Sequence, residues 1–102
     1  MAGAVVNAYT RLGDGAIVNT GATIDHDAMI GEWAHVAPGC HLSGAVTLGE
    51  GVFLGVGSSV IPGCTIGAWT QVGAGGVVVG DLPPEVLAIG VPARVLRPLR
   101  PA

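Results

Sequence analysis

The sequence predicts an all-β fold in which a short strand and a turn repeat every six residues. Three observations carry this expectation. Every sixth position from Val6 to Val78 is Ile, Leu or Val, thirteen in unbroken register. The fifth position of the same hexads is mostly small, as in Ala16, Ala22, Ala28, Ala34, Cys40, Ser58 and Cys64, with Val46 and Val52 as larger exceptions. The composition is ordered yet built from small residues: 18 of 102 residues are Gly, half are apolar, and only 4% are aromatic.

A period of six fits neither the 3.6 of a helix nor the 2.0 of a long strand. It fits a brief strand, a bend, and another strand. The aliphatic at position one points inward, and the small residue at position five fills the inner corner. Position two is often Gly (Gly13, Gly31, Gly49, Gly55, Gly67, Gly73), which is expected to serve turn dihedrals that a Cβ resists. Sequences with such internal periods build one-dimensional stacks whose ends are exposed edges. Residues 1–5 are expected to begin or cover the first coil. Asp81-Leu82-Pro83-Pro84-Glu85 breaks the period and turns the chain. Leu87 to Leu96 reads as one further extended segment on the last coil, and 97–102 as an extended surface end. The chain is thus read as one domain over 1–102, with repeats over about 6–83 and a C-terminal segment over 84–102.

The formal charge is −3 and there is no lysine. Three of the four arginines (Arg94, Arg97, Arg100) lie in the last nine residues, so the body offers no basic face to nucleic acid. No apolar run is long and uninterrupted enough for a membrane span. The N-terminus lacks the basic and apolar regions of a secretory signal, so a cytoplasmic location is expected. Cys40 and Cys64 suggest neither a metal site nor a disulfide; both occupy position five and read as inert core fillers.

Of the three histidines, His26 stands out. It is third in Ile24-Asp25-His26-Asp27-Ala28-Met29, an outward phase, between two acids. A carboxylate beside imidazole can fix its tautomer and raise its basicity, as a general base needs. His35 and His41 are sixth in their hexads, also outward.

The hexads resemble the hexapeptide repeat of left-handed parallel β-helices, in which three hexapeptides make a triangular coil. Thirteen repeats then imply about four coils, and the narrow interior explains the shortage of aromatic rings. The stretch from Gly15 to Leu96 is similar to the C-terminal domain of bacterial sugar acetyltransferases of the sialic acid O-acetyltransferase type, a group that includes N-acetyltransferases of UDP-linked 4-amino-sugars. The words that carry the resemblance are Ile24-Asp25-His26-Asp27, Ile30-Gly31-Glu32-Trp33-Ala34-His35-Val36, Gly51-Val52-Phe53-Leu54-Gly55 and Gly90-Val91-Pro92-Ala93-Arg94. The resemblance implies an acetyl-CoA-dependent acyltransferase that works as a homotrimer with active sites between subunits, acts on a sugar amine or hydroxyl, and holds no metal. It implies that His26 is the catalytic base and that Asp27, often Glu in relatives, supports it. It implies that His35 contacts the acetyl-CoA end of the site and that the Gly44 backbone N–H holds the thioester oxygen. Val56, Ala74 and Gly75 then line the pantetheine arm, with Gly90, Pro92 and Arg94 near its adenine and phosphate end, where Arg94 or Arg97 would pair with a phosphate.

Relatives with these words usually carry a preceding βαβ domain for the nucleotide-sugar, and the sequence shows no pattern for one. Two rivals follow from the same repeat. A γ-type carbonic anhydrase needs two histidines about five residues apart and a third a coil or two away, whereas the spacings here are nine and six. A non-catalytic trimerising β-helix would give His26 no task.

Overall fold

The computed structural model describes residues 3–6 and 10–99. Met1, Ala2 and Arg100 to Ala102, to which parts of the sequence reading extend, lie outside the described residues. The described residues hold strands and turns and no helix.

Each hexad contributes one two-residue strand: β1 (Val5–Val6), β2 (Arg11–Leu12), β3 (Ile17–Val18), β4 (Thr23–Ile24), β5 (Met29–Ile30), β6 (His35–Val36), β7 (His41–Leu42), β8 (Thr47–Leu48), β9 (Phe53–Leu54), β10 (Ser59–Val60), β11 (Thr65–Ile66), β12 (Gln71–Val72) and β13 (Val77–Val78). Every strand pairs in parallel with the one three hexads later, as in Val6↔Ile24 and Ile24↔Leu42. One coil is therefore 18 residues, and the stack makes a little over four of them. Three flat sheets result, ordered β1-β4-β7-β10-β13, β11-β8-β5-β2, and β12-β9-β6-β3 with further strands at its end.

The core is the interior of this prism. Ile24, Leu42, Leu48, Leu54, Ile66 and Val72 at position one are almost wholly buried, and so are Ala22, Ala28, Ala34, Val46 and Val52 at position five. Each aliphatic thus packs on its counterparts one coil above and below, with the small residue at the bend. Val6 and Leu12, in the same inward phase, are exposed because no coil lies beneath them among the described residues. The prism buries its aliphatics only between coils, so its first rung remains an open edge.

The glycines divide their labour differently from the expectation. Positive φ occurs at position four, not two: Gly15, Gly21, Gly39, Gly51, Gly57, Gly63 and Gly75, and also Asp27, Trp33, Ala45 and Trp69. Position-two glycines have ordinary φ and are demanded by close approach. A Cβ on Gly31 would lie 2.6 Å from the carbonyl carbon of Gly49, and one on Gly49 would lie 2.7 Å from the amide of Ala68. This crowding runs along the whole corner between the four- and six-stranded sheets, where Gly13, Gly31, Gly49 and Gly67 stack. At the same corner the Trp33 and Trp69 rings pack against Gly15 and Gly51, where a Cβ would collide with them.

The C-terminal part also differs in detail. The segment expected to run extended over 87–96 is a hairpin. β14 (Val86–Ile89) adds in parallel to β12, and the chain turns at Gly90–Ala93. β15 (Arg94–Pro98) then returns antiparallel on β14. The reason is local: Gly90 has φ +98° and its carbonyl accepts the Val77 N–H at 3.0 Å, while the Ala93 N–H donates to Val77 O at 2.7 Å. Both bonds hold the reversal over β13 and close the top of the prism. Thr70, fully buried, anchors the entry. Its hydroxyl donates to Pro83 O at 2.6 Å and accepts the Val86 N–H at 3.3 Å.

Candidate functional site

His26 occupies the corner between the five- and four-stranded sheets, in the turn joining β4 to β5. Asp27 follows at position four with φ 60°. That left-handed backbone is what swings its carboxylate back toward the preceding side chain. The His26 Nδ1–H donates to Asp27 Oδ2 at 3.1 Å. With Nδ1 so engaged, the lone pair of the neutral ring sits on Nε2. Both side chains are well exposed, at 67% and 60%.

Gly44 lies one coil above His26 on the same corner. The ring rests against it: a Cβ there would be 2.9 Å from His26 Cε1 and 3.0 Å from Nε2. Its φ is ordinary, so the glycine is required by the imidazole and not by the turn. The neighbouring backbone bonds run from Ser43 N–H to Val60 O, from Ala45 N–H to His26 O, and from Gly63 N–H to Gly44 O. None takes up the Gly44 N–H. The same is true of position three in the other hexads among the described residues, which is why Pro38 and Pro62, with no N–H to offer, are tolerated there. Gly44 thus combines an amide that no other backbone group takes up with a position that carries no side chain.

His35 projects from β6 on the outer face of the six-stranded sheet. Its Nε2 lies 2.7 Å from Asn19 Nδ2, and its ring meets Phe53 edge-on with centroids 5.1 Å apart. With the amide as donor, Nε2 accepts and the ring proton sits on Nδ1. Asn19 is a residue the sequence reading missed; its signal was only that it lies nearly one coil before His35, at the adjacent turn. His41 projects from β7 on the five-stranded sheet, with Nδ1 2.7 Å from Thr23 Oγ1.

Val56, Ala74, Gly75, Gly90 and Pro92 gather at a different corner, between the six- and five-stranded sheets. The Gly75 N–H donates to Val56 O at 2.8 Å, which stacks those two turns directly. A Cβ on Gly57 or Gly75 would meet nothing within 4 Å, so the surface at these two turns is open. Such a surface suits an extended chain laid along backbone. Arg94 begins β15 beside it, and Arg97 lies further along the same strand.

The residues singled out therefore fall into two groups within one chain. His26, Asp27 and Gly44 come together. Val56, Ala74, Gly75, Gly90 and Pro92 come together one sheet-width away, and His35 stands on a third surface. An open groove of about 700 Å³ adjoins the first group, lined by Thr10, Arg11, Asp27 and Met29. Among the described residues no three His, Cys, Asp or Glu side chains converge as a metal site would require. No helix there is long and apolar enough to cross a membrane. Cys40 is buried and its thiol donates to Gly55 O at 3.1 Å. Burial raises its pKa above the ordinary value, and burial followed by the negative charge of Asp81 does the same for Cys64.

No family model matches the chain. Solved structures do. GDP-perosamine N-acetyltransferase PerB from Caulobacter crescentus, crystallised with CoA and GDP-perosamine, is 48% identical over 91% of this chain and 54% of its own, with a TM-score of 0.73. A histidine-to-alanine variant of that enzyme matches similarly, at 49% identity over 91% of this chain and 53% of its own, with a TM-score of 0.63. The acetyltransferase domain of PglB from Neisseria gonorrhoeae is 30% identical over 92% of this chain and 55% of its own, TM-score 0.82. Serine acetyltransferase of Neisseria gonorrhoeae, in complex with serine, is 32% identical over 90% of this chain and 42% of its own, TM-score 0.85. The chain spans about half the length of these proteins. All of them are acetyltransferases, and the match is consistent with a C-terminal hexapeptide-repeat acyltransferase domain.

Proposed function

We propose, from a chain that carries the hexapeptide-repeat architecture of acyltransferases, that it transfers the acetyl group of acetyl-CoA to an amine of a nucleotide-linked amino-sugar. The observation that carries the reading is the His26–Asp27 pair resting on Gly44. One imidazole nitrogen is held by a carboxylate, and the ring packs on a glycine whose N–H no other backbone group takes up. The 48% identity with an enzyme crystallised with CoA and GDP-perosamine favours a sugar amine over a hydroxyl.

His26 Nε2 takes a proton from the acceptor nitrogen as that nitrogen attacks the thioester carbonyl carbon. Asp27 holds the ring in the receptive tautomer and stabilises the imidazolium that forms. The Gly44 N–H donates to the carbonyl oxygen as it gains charge. The carbon–sulfur bond then breaks, and the proton held on His26 is available to the departing CoA sulfur. Val56, Ala74 and Gly75 line the pantetheine arm, Gly90 and Pro92 lie near its adenine and phosphate end, Arg94 or Arg97 pairs with a CoA phosphate, and His35 contacts the acetyl-CoA end of the site.

This assignment needs more than one chain, because His35 and the pantetheine strip do not face His26 within a chain. A homotrimer, with one prism's His26 corner set against its neighbour, would close the gap. The row of exposed Ile17 and Phe53 with half-buried His35 between them, on β3, β9 and β6, supplies an outer face suited to such packing. A CoA thioester donor also fits work in the cytoplasm.

The test is a pair of measurements on the purified chain. Acetyl-CoA should raise its melting temperature saturably, by an amount corresponding to about 2.7 kcal/mol at a hundred times Kd. His26→Ala should keep that shift and lose at least about a hundredfold in transfer to a nucleotide-linked amino-sugar. No shift at millimolar acetyl-CoA in the folded chain would overturn the reading in favour of a non-catalytic prism.

A further inference from the structure

Arg11 is the one Arg or Lys among residues 1–93. The sequence reading passed over it, since its charge is lost among acids in the total. The fold places it with purpose. It opens β2, pairs across the sheet with Met29, and lines the groove that Asp27 also lines. Asp27 is at once the partner of the proposed base and a wall of this groove, so a molecule lying in it is adjacent to His26. No ion pair engages Arg11 among the described residues, and its exposed guanidinium is free to bind a ligand. Thr10, next to it, donates its hydroxyl to Asp25 O at 3.0 Å, which ties this rim of the groove to the turn that carries His26. The groove's volume, about 700 Å³, is that of a small-molecule site.

We propose that Arg11 is a positioning residue for the acceptor. Its guanidinium binds phosphate oxygens of the nucleotide-linked sugar through paired N–H donors, so that the sugar amine lies at His26 Nε2. Met29 supplies the apolar wall on which the sugar ring lies. This rests on the acetyltransferase reading for the identity of the acceptor, but the phosphate site does not. Within residues 1–93 no other Arg or Lys competes for such an anion, so Arg11 is where a phosphate would settle against the otherwise acidic body.

Two measurements test it separately from the reaction. In the first, inorganic pyrophosphate is titrated into the full chain while the backbone amide resonances of Asp27 and Met29, which line the groove and are present in every variant, are followed by NMR. A saturable shift in the wild-type chain, absent in Arg11→Gln, is expected; no shift up to about 10 mM overturns the proposal whether or not the chain transfers acetyl groups. In the second, steady-state transfer is measured with acetyl-CoA and GDP-perosamine. Arg11→Ala should raise the acceptor KM by roughly ten- to a hundredfold, leave the acetyl-CoA KM unchanged, and be partly rescued in Arg11→Lys. An acceptor KM within twofold of wild type, or an equal rise in both KM values, overturns it. A wild-type chain that binds pyrophosphate at Arg11 yet transfers nothing would sink the acetyltransferase reading and leave the phosphate site standing.

Discussion

Gly44→Ala separates the chemistry of the corner from its architecture. The added Cβ would sit 2.9 Å from His26 Cε1 and 3.0 Å from Nε2, whereas ordinary carbon contacts begin at 3.4 Å. The imidazole must therefore move outward by about half an ångström to one ångström. It can do so, since it is two-thirds exposed and held by one bond to Asp27. Backbone strain is not an issue, because Gly44 has no positive φ. The cost to stability should be small, and the melting temperature should stay within about 3 °C of wild type, the smaller entropy loss of Ala on folding offsetting any crowding. Activity should respond far more. A displacement of about 1 Å in a reacting group costs on the order of a hundredfold, so kcat/KM for acetyl transfer should drop by roughly ten- to a hundredfold while acetyl-CoA still shifts the melting temperature. If Gly44→Ala kept kcat/KM within threefold of wild type, the placement of His26 against this glycine would have no catalytic meaning.

Two further predictions concern the prism itself. Thr70→Val keeps shape but leaves Pro83 O and the Val86 N–H without the hydroxyl; it should cost about 1–3 kcal/mol in urea unfolding and speed hydrogen exchange at Val86, and unchanged exchange would show that the hairpin is anchored elsewhere. The buried Cys40 and Cys64 thiols have pKa values raised above 9.0 in the folded chain, so the unfolded chain ionises first as pH climbs. Their contribution is therefore complete below about pH 8 and is lost as pH rises past 9.0 toward the folded values. The stability gap between wild type and Cys40→Ala should narrow as pH rises past 9.0, and a gap independent of pH would contradict the assignment.

The period of six determined most of the architecture from sequence alone. An aliphatic at every sixth position can be buried on one side only if the chain bends after each short strand, so Val18, Ile24 and Ile30 on to Val78 mark the inner wall before any coordinates exist. The same counting placed Cys40 and Cys64 inside and set Gly44 one coil from His26. Distances of 18 residues become nearest-neighbour contacts in a coil of that length, and that is why part of the site was legible. The tertiary structure decided what the period cannot encode. Position-two glycines proved to be spacers against the backbone one coil away, a contact invisible to local dihedral reasoning. The C-terminal hairpin forms because Gly90 and Ala93 find the two polar groups of Val77, a pairing that depends on where the last coil ends. Arg11 gained meaning only when stacking set it beside Asp27, since sixteen residues of sequence separate two side chains that share one groove. The separation of His35 and the Val56–Pro92 strip from His26 likewise belongs to the prism. The repeat fixes which residues face outward, while the three sheets fix which of them face the same way.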